Sequence, residues 1–167
     1  MEFKKGSTYT RGEIHTLYFD TPILNNRDWQ SGYVRVDDEL IVFMNIDIPG
    51  LTGHDYPNSY NEETKTVEWF GKPNSNSRQP TFAKLIKGEL TPHFFARWDK
   101  KEFTYLGIGK IIKFEDGHPA KDGKGNDAKT IKITLSIRDI EEIININDEN
   151  YYPFSLEKHL EDFIVNN

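Results

Sequence analysis

His93-Phe94-Phe95-Ala96-Arg97-Trp98, then Asp99-Lys100-Lys101, then the long run from Phe103 to Phe114 with glycines at 107 and 109, is the stretch that decides the fold. The first segment is aromatic-rich and reads as a strand, with the three polar residues after it as a hairpin turn. The second run is long for a strand, and its two glycines mark a bulge or bend. Such a kink is the device that curls a sheet, so the expectation is a curled sheet or open pseudobarrel rather than a flat sheet.

Working outward, Thr130 to Ile137 alternates cleanly, with Ile131, Ile133, Leu135 and Ile137 inward. The Gly-, Asp- and Lys-rich stretch Glu115 to Ala128 between these strands reads as a projecting hairpin loop. Upstream, Thr64 to Phe70 is expected as a strand, with Val67 and Trp69 on one face and Glu68 and Phe70 on the other. Tyr33 to Val36 and Leu40 to Ile46 form a further pair joined by a turn at Asp37-Asp38-Glu39. Thr10-Arg11-Gly12-Glu13 has the capping-box pattern, and Ile14, Leu17 and Tyr18 share one face of the short helix it opens. Thr81 to Ile86 supplies one or two helical turns, and Ser155 caps a terminal helix with Leu156, Leu160, Phe163 and Ile164 on one stripe. The fold class is therefore α+β and β-rich, with about six to seven strands and short flanking helices. It reads as a single domain over residues 1–167, with 138–167 an acidic helical extension.

Composition narrows the class. Of 167 residues, 13% are aromatic, which argues against disorder. No apolar run approaches the roughly 18 residues of a membrane span, and Met1-Glu2-Phe3-Lys4-Lys5 does not lead into a signal-peptide core. The absence of Cys excludes disulfides, thiolate metal sites and cysteine nucleophiles. A soluble, cytoplasmic domain is expected.

The net charge of −6 argues against nucleic acid until it is divided along the chain. Residues 1–70 carry a net −6, residues 71–134 a net +6, and residues 135–167 a net −6. A polyanion senses the local field within roughly 10 Å, so the basic middle matters more than the mean.

Catalytic patterns are missing. His15, His54, His93, His118 and His159 are scattered, with no metal-binding pair among them. Asp122 to Asp127 fails as a calcium loop because Lys124 takes a ligand position, and Gly107-Ile108-Gly109 lacks the rest of a phosphate loop. Glu68-Trp69-Phe70-Gly71-Lys72 has the wrong spacing for nuclease carboxylates. No metal, cofactor or catalytic residue is assigned.

The polar segment Lys72 to Gln79, restricted by prolines at 73 and 80, has the chemistry of DNA contact. Lys72, Asn74, Ser75, Asn76, Ser77, Arg78 and Gln79 are the side-chain types that hold phosphates and read base edges. An ordinary surface loop would have the same composition. Arg27, Gln30 and Ser31 beside Trp29 form a second such segment, and Lys121, Lys124 and Lys129 are generic phosphate contacts. Tyr56 and Tyr60 could stack on an extruded base, although solvent-facing turn tyrosines fit equally.

The order of motifs resembles a known family. Tyr9-Thr10-Arg11-x-Glu13-Ile14, Gly32-Tyr33, Val67-Glu68-Trp69-Phe70-Gly71-Lys72, Phe94-Phe95-Ala96-Arg97 and Phe103-Thr104-Tyr105-Leu106-Gly107 follow one another as in DNA-recognition domains of bacterial restriction enzymes and helicase–nuclease proteins. Those domains are pseudobarrels similar to the plant B-three DNA-binding fold. The resemblance covers roughly residues 9 to 115 and implies two arms that clamp the major groove, at Arg27 to Tyr33 and at Lys72 to Gln79. The function expected is sequence-specific binding of double-stranded DNA, non-catalytic in itself, targeting a nuclease or motor partner of a bacterial restriction system. Arg78, Asn76 and Gln79 are expected at base edges, Lys72, Ser75 and Ser77 at phosphates, and Arg27 and Gln30 on the opposing arm. Two alternatives stay open. One is a reader of modified bases with an aromatic pocket from Tyr33, Trp69 and Tyr105; the other is a protein-interaction domain.

Overall fold

In a computed structural model, residues 1–21, 27–47 and 57–137 are described, with only the backbone described for Arg27 and Asp28. The expected helix at Ser155, the whole extension 138–167 and Tyr56 lie outside these residues.

Nine strands and two α-helices are present among the described residues. In chain order they are β1 (Thr8–Tyr9), α1 (Arg11–Phe19), β2 (Tyr33–Val36), β3 (Glu39–Asn45), β4 (Ser59–Asn61), β5 (Thr66–Phe70), α2 (Pro80–Ile86), β6 (Thr91–Arg97), β7 (Phe103–Ile108), β8 (Lys110–Lys121) and β9 (Asp127–Ser136). They make two open sheets, ordered β1-β7-β6-β3-β2 and β4-β5-β9-β8. This is the β-rich α+β pseudobarrel anticipated from the kinked strand. The strand number exceeds the expected six to seven because β1 and β4 are too short to give a pattern, and because one long strand is divided.

That division is the corner of the fold. The run from Phe103 to Phe114 ends its membership of the five-stranded sheet at Ile108 and enters the four-stranded sheet at Lys110. Gly109 sits at the junction, where an added Cβ would lie 2.6 Å from the Phe94 ring and 3.0 Å from Leu135. Only a residue without a side chain lets the two sheets meet this closely.

Two cores result, one on each face of the five-stranded sheet. Between the sheets lie Leu40, Val42, Met44, Phe94 and Ala96 from one side and Val67, Trp69, Ile131, Ile133 and Leu135 from the other, closed by Phe82 and Leu85 of α2. On the far face, Ile41, Phe43, Phe95, Phe103 and Tyr105 pack under Ile14 of α1 and under Trp29. Strands β3 and β6 are central, mutually parallel and buried on both faces, which is why Leu40 to Met44 reads as a continuous apolar run.

Local chemistry sets the ends. Thr10 Oγ1 accepts from the Glu13 amide at 3.1 Å and Glu13 Oε1 accepts from the Thr10 amide at 3.2 Å, completing the capping box. Ile14 is buried and Tyr18 packs beside it, but Leu17, expected on the same face, is 50% exposed. A helix of 9 residues that lies over one sheet turns a single stripe inward, and Leu17 falls outside it. Phe70, expected opposite Trp69, is buried as well, because the ring of His118 covers it at 4.9 Å.

The stretch 115–128 is not a loop. β8 and β9 stay paired out to Lys121 and Asp127, well beyond the last pair of β5 with β9 at Phe70 and Lys132, so they project as a two-stranded ribbon. Both ribbon faces meet water, so the sequence shows no alternation there to announce a strand. No helix among the described residues is long and apolar enough to cross a membrane, and no group of three or more His, Asp or Glu side chains among them is placed to hold a metal ion.

Candidate nucleic-acid interface

The segment after β5 turns sharply and is pinned to the base of the ribbon. Gly71 N–H donates to Ile131 O at 3.0 Å, and Asn74 N–H donates to Lys129 O at 2.7 Å. The buried Thr130 hydroxyl lies 2.8 Å from Gly71 O and 3.0 Å from Lys72 O. Ser77 donates from its amide and its hydroxyl to the Asp116 carboxylate on β8. Asn74 takes the left-handed conformation, φ 71°, which its short amide side chain tolerates. The polar stretch is thus a fixed knuckle of turns braced against the ribbon.

Bracing consumes part of the side-chain set expected for DNA. Asn76 Oδ1 accepts from the Arg78 amide at 2.9 Å, and Gln79 Oε1 accepts from the Asn76 amide at 3.3 Å. Ser75 is buried and hydrogen-bonds the Tyr33 hydroxyl, so it holds the knuckle from below. Lys72, Asn74 and Arg78 remain exposed, with side chains that donate to no other described residue.

The ribbon places its lysines differently. Lys121 is ion-paired with Asp127 across the two strands. Lys124 stands in the closing turn, where Asp122 Oδ1 accepts from the amides of Lys124 and Asn126, each at 2.8 Å. The Lys124 and Lys129 side chains are exposed. Knuckle and ribbon, linked by bonds between residues 39 or more positions apart in sequence, are therefore joined at the ribbon's base.

The first expected arm begins in a 3-10 turn, Arg27–Gln30. Trp29 anchors it in the far core, 2% exposed, with Gln30 pointing outward. Arg11 Nη1 donates to Trp29 O at 3.0 Å and to Ser31 O at 2.7 Å, and the Ser31 hydroxyl donates to Tyr33 O at 2.7 Å. The two arms meet at Tyr33. The Lys72 ammonium sits over its ring at 4.7 Å, Ser75 bonds its hydroxyl, and burial raises its pKa against that bond.

No single aromatic pocket unites Tyr33, Trp69 and Tyr105. Tyr33 and Trp69 meet edge to face at 5.5 Å in the inter-sheet core, while Tyr105 lies on the other face of the five-stranded sheet. There the Tyr105 hydroxyl lies 2.9 Å from His93 Nδ1, and His93 Nε2 lies 2.7 Å from Glu39. The five-stranded sheet itself separates the rings: Tyr33 of β2 faces the inter-sheet core, whereas Tyr105 of β7, one position before the core residue Leu106, faces the far side. Tyr60, considered for base stacking, lies in β4 and packs against the inter-sheet core.

Sequence reasoning missed a groove of about 920 Å³ between the start of α1 and the β6–β7 hairpin, lined by Arg11, Gln30, Arg97, Trp98, Lys100 and Lys101 among others. The Arg11 guanidinium lies 4.1 Å from the Phe43 ring centroid, and those of Arg11 and Arg97 lie 5.1 and 4.3 Å from that of Phe103. Burial, with Arg97 nearby, lowers the Arg11 pKa to about 10. The available signal was a lone arginine inside the apolar run His93 to Trp98.

No protein-family model matches the chain, and no curated protein matches its sequence. Two solved structures share the fold. The sulfur-binding and SRA domains of ScoMcrA complexed with phosphorothioated DNA align with a TM-score of 0.57 at 10% identity, over 94% of this chain and 45% of that one. The type IV phosphorothioation-dependent restriction endonuclease ScoMcrA aligns with a TM-score of 0.60 at 11% identity, over 98% of this chain and 31% of that one. This chain spans less than half the length of either. At such identities the likeness is one of fold.

Proposed function

We propose that this chain is a recognition module for double-stranded DNA in a bacterial restriction system, non-catalytic in itself and working in the cytoplasm with a nuclease or motor partner. The observation that carries this reading is the knuckle braced to the base of the ribbon, two protruding segments whose Lys72, Arg78, Lys124 and Lys129 side chains are all exposed. Lysine and arginine on a preformed protrusion suit a phosphate backbone and an adjacent groove, with little ordering cost on binding. Arg78, exposed and without an ion pair among the described residues, is the side chain assigned to base edges. Lys72, Lys124 and Lys129 hold phosphates, and Gln30 lies on the opposing arm.

A second reading, recognition of a DNA modification, draws on the fold it shares with ScoMcrA, a phosphorothioation-dependent endonuclease. Fluorescence anisotropy with a random duplex at low salt tests the common ground; a flat titration overturns both readings. Selection from a randomised pool, beside competition between phosphorothioated and unmodified duplexes, separates them. An enriched base motif supports sequence reading, and preference for the modified duplex supports the second.

A further inference from the structure

We propose that the groove between the N-terminal turn of α1 and the β6–β7 hairpin is a second contact with DNA, taking one backbone phosphate with its sugar. This rests on the DNA-binding reading above and adds a surface to it. Three features converge.

The first is charge. Arg11, Arg97, Lys100 and Lys101 line the groove against the two carboxylates of Asp99 and Glu102, a net excess of cation. Arg11 and Arg97 make no ion pair among the described residues. Arg11 bonds only backbone carbonyls, and Arg97 donates to Asn45 Oδ1 at 2.6 Å and to Lys101 O at 3.2 Å. Arginines positioned by neutral acceptors, with Asp99 the one carboxylate acting on Arg97 from the groove's edge, suit an anion from outside.

The second is position. Gln30, at the end of the first arm, lines the same groove. Arg11 bonds Trp29 O and Ser31 O, so one side chain of the groove also holds the end of that arm. The third is an apolar wall. Trp98 is 47% exposed on the groove's rim, while Trp29 and Trp69 are each 2% exposed. A flat apolar ring beside cations fits a deoxyribose next to its phosphate, a combination that a site for an inorganic ion does not need.

The chain has three tryptophans, and the exposure of Trp98 makes it the one a small neutral quencher reaches. Acrylamide quenching of tryptophan emission is therefore measured without DNA and with saturating duplex, with anisotropy followed in the same samples. The proposal expects duplex binding together with at least about a two-fold fall in the quenching constant. It also expects Lys100→Gln/Lys101→Gln, which changes only exposed side chains, to weaken every duplex about five- to ten-fold. The same double variant should flatten the salt dependence by about 0.9 for each phosphate it no longer neutralises. Duplex binding with undiminished quenching of Trp98, or an unchanged salt slope in the double variant, overturns the groove contact and leaves the DNA-binding reading intact. Absence of any anisotropy change in the unsubstituted protein overturns that reading itself, and the groove contact with it.

Discussion

Strands β8 and β9 are one hairpin living in two environments. Near Gly109, Ile131, Ile133 and Leu135 of β9 are fully buried between the sheets. Farther out, from Glu115 to Lys129, most residues of the same pair are exposed. The inner half is held by apolar burial and the outer half by its backbone ladder and the knuckle at its base. Under the proposed DNA-binding reading, stability and recognition are separated along a single hairpin: core substitutions should destabilise the fold, and ribbon substitutions should change only what it binds.

The largest effect tests the inner half. Trp69 lies opposite Ile133 in the β5–β9 ladder and packs on Phe82 and Phe94 at centroid distances of 5.8 and 6.0 Å. Trp69→Ala should cost about 3–5 kcal/mol in urea unfolding, and a loss below about 1 kcal/mol would mean that the inter-sheet core does not carry the fold. Next is the outer surface, where Arg78→Ala should weaken binding to a selected duplex by about 1–3 kcal/mol and change stability by less than about 0.5 kcal/mol. An equal loss on all duplexes would place Arg78 on the backbone rather than at a base. Thr130→Val tests the joint between the halves. It keeps the side-chain shape and removes the donor to the Gly71 and Lys72 carbonyls, at a cost of about 1–2 kcal/mol. A loss of DNA affinity beyond that of folded protein would show that the brace positions the knuckle.

The smallest effect belongs to the far core. Burial lowers the His93 pKa, although Glu39 opposes that shift. At Glu39 burial, the largest single cause, acts upward, but the bonds from His93 and the Met1 ammonium and the charges of both together hold its pKa low. A histidine with a depressed folded pKa takes up its proton more readily in the unfolded chain. Its contribution is complete above its ordinary value of 6.5 and declines as pH falls below it. Glu39 acts in the same direction at lower pH, its contribution present above its ordinary value and lost on further acidification. Melting temperature should therefore fall from about pH 7 to about pH 5, and His93→Gln should flatten that slope; an unchanged slope assigns the acid sensitivity elsewhere.

Much of the frame was legible because burial writes periodicity into sequence. Ile131, Ile133, Leu135 and Ile137 alternate because one face of β9 is core, and Thr10 with Glu13 marks a helix start because cap chemistry is local. The ribbon was illegible for the converse reason, since a strand wet on both faces has no period. The candidate site was legible as composition but not as geometry. Whether a serine faces a phosphate or a tyrosine depends on residues far away in sequence. Ser75, facing Tyr33 from beneath the knuckle, and Ser77, tied to Asp116, show how partners drawn from other strands decide that. The groove needed α1, β6 and β7 to converge, and no one of them announces it.

Gly109 also makes the molecule a machine part of a particular kind. Since β7 runs into β8 without an intervening loop, the ribbon is the free end of a beam whose other end is built into the five-stranded sheet. Its fulcrum is one residue wide, with the Phe94 ring and Leu135 pressed against it. A side chain at that corner would have to push the Phe94 ring and Leu135 apart, so Gly109 fixes the angle at which the ribbon leaves the sheet.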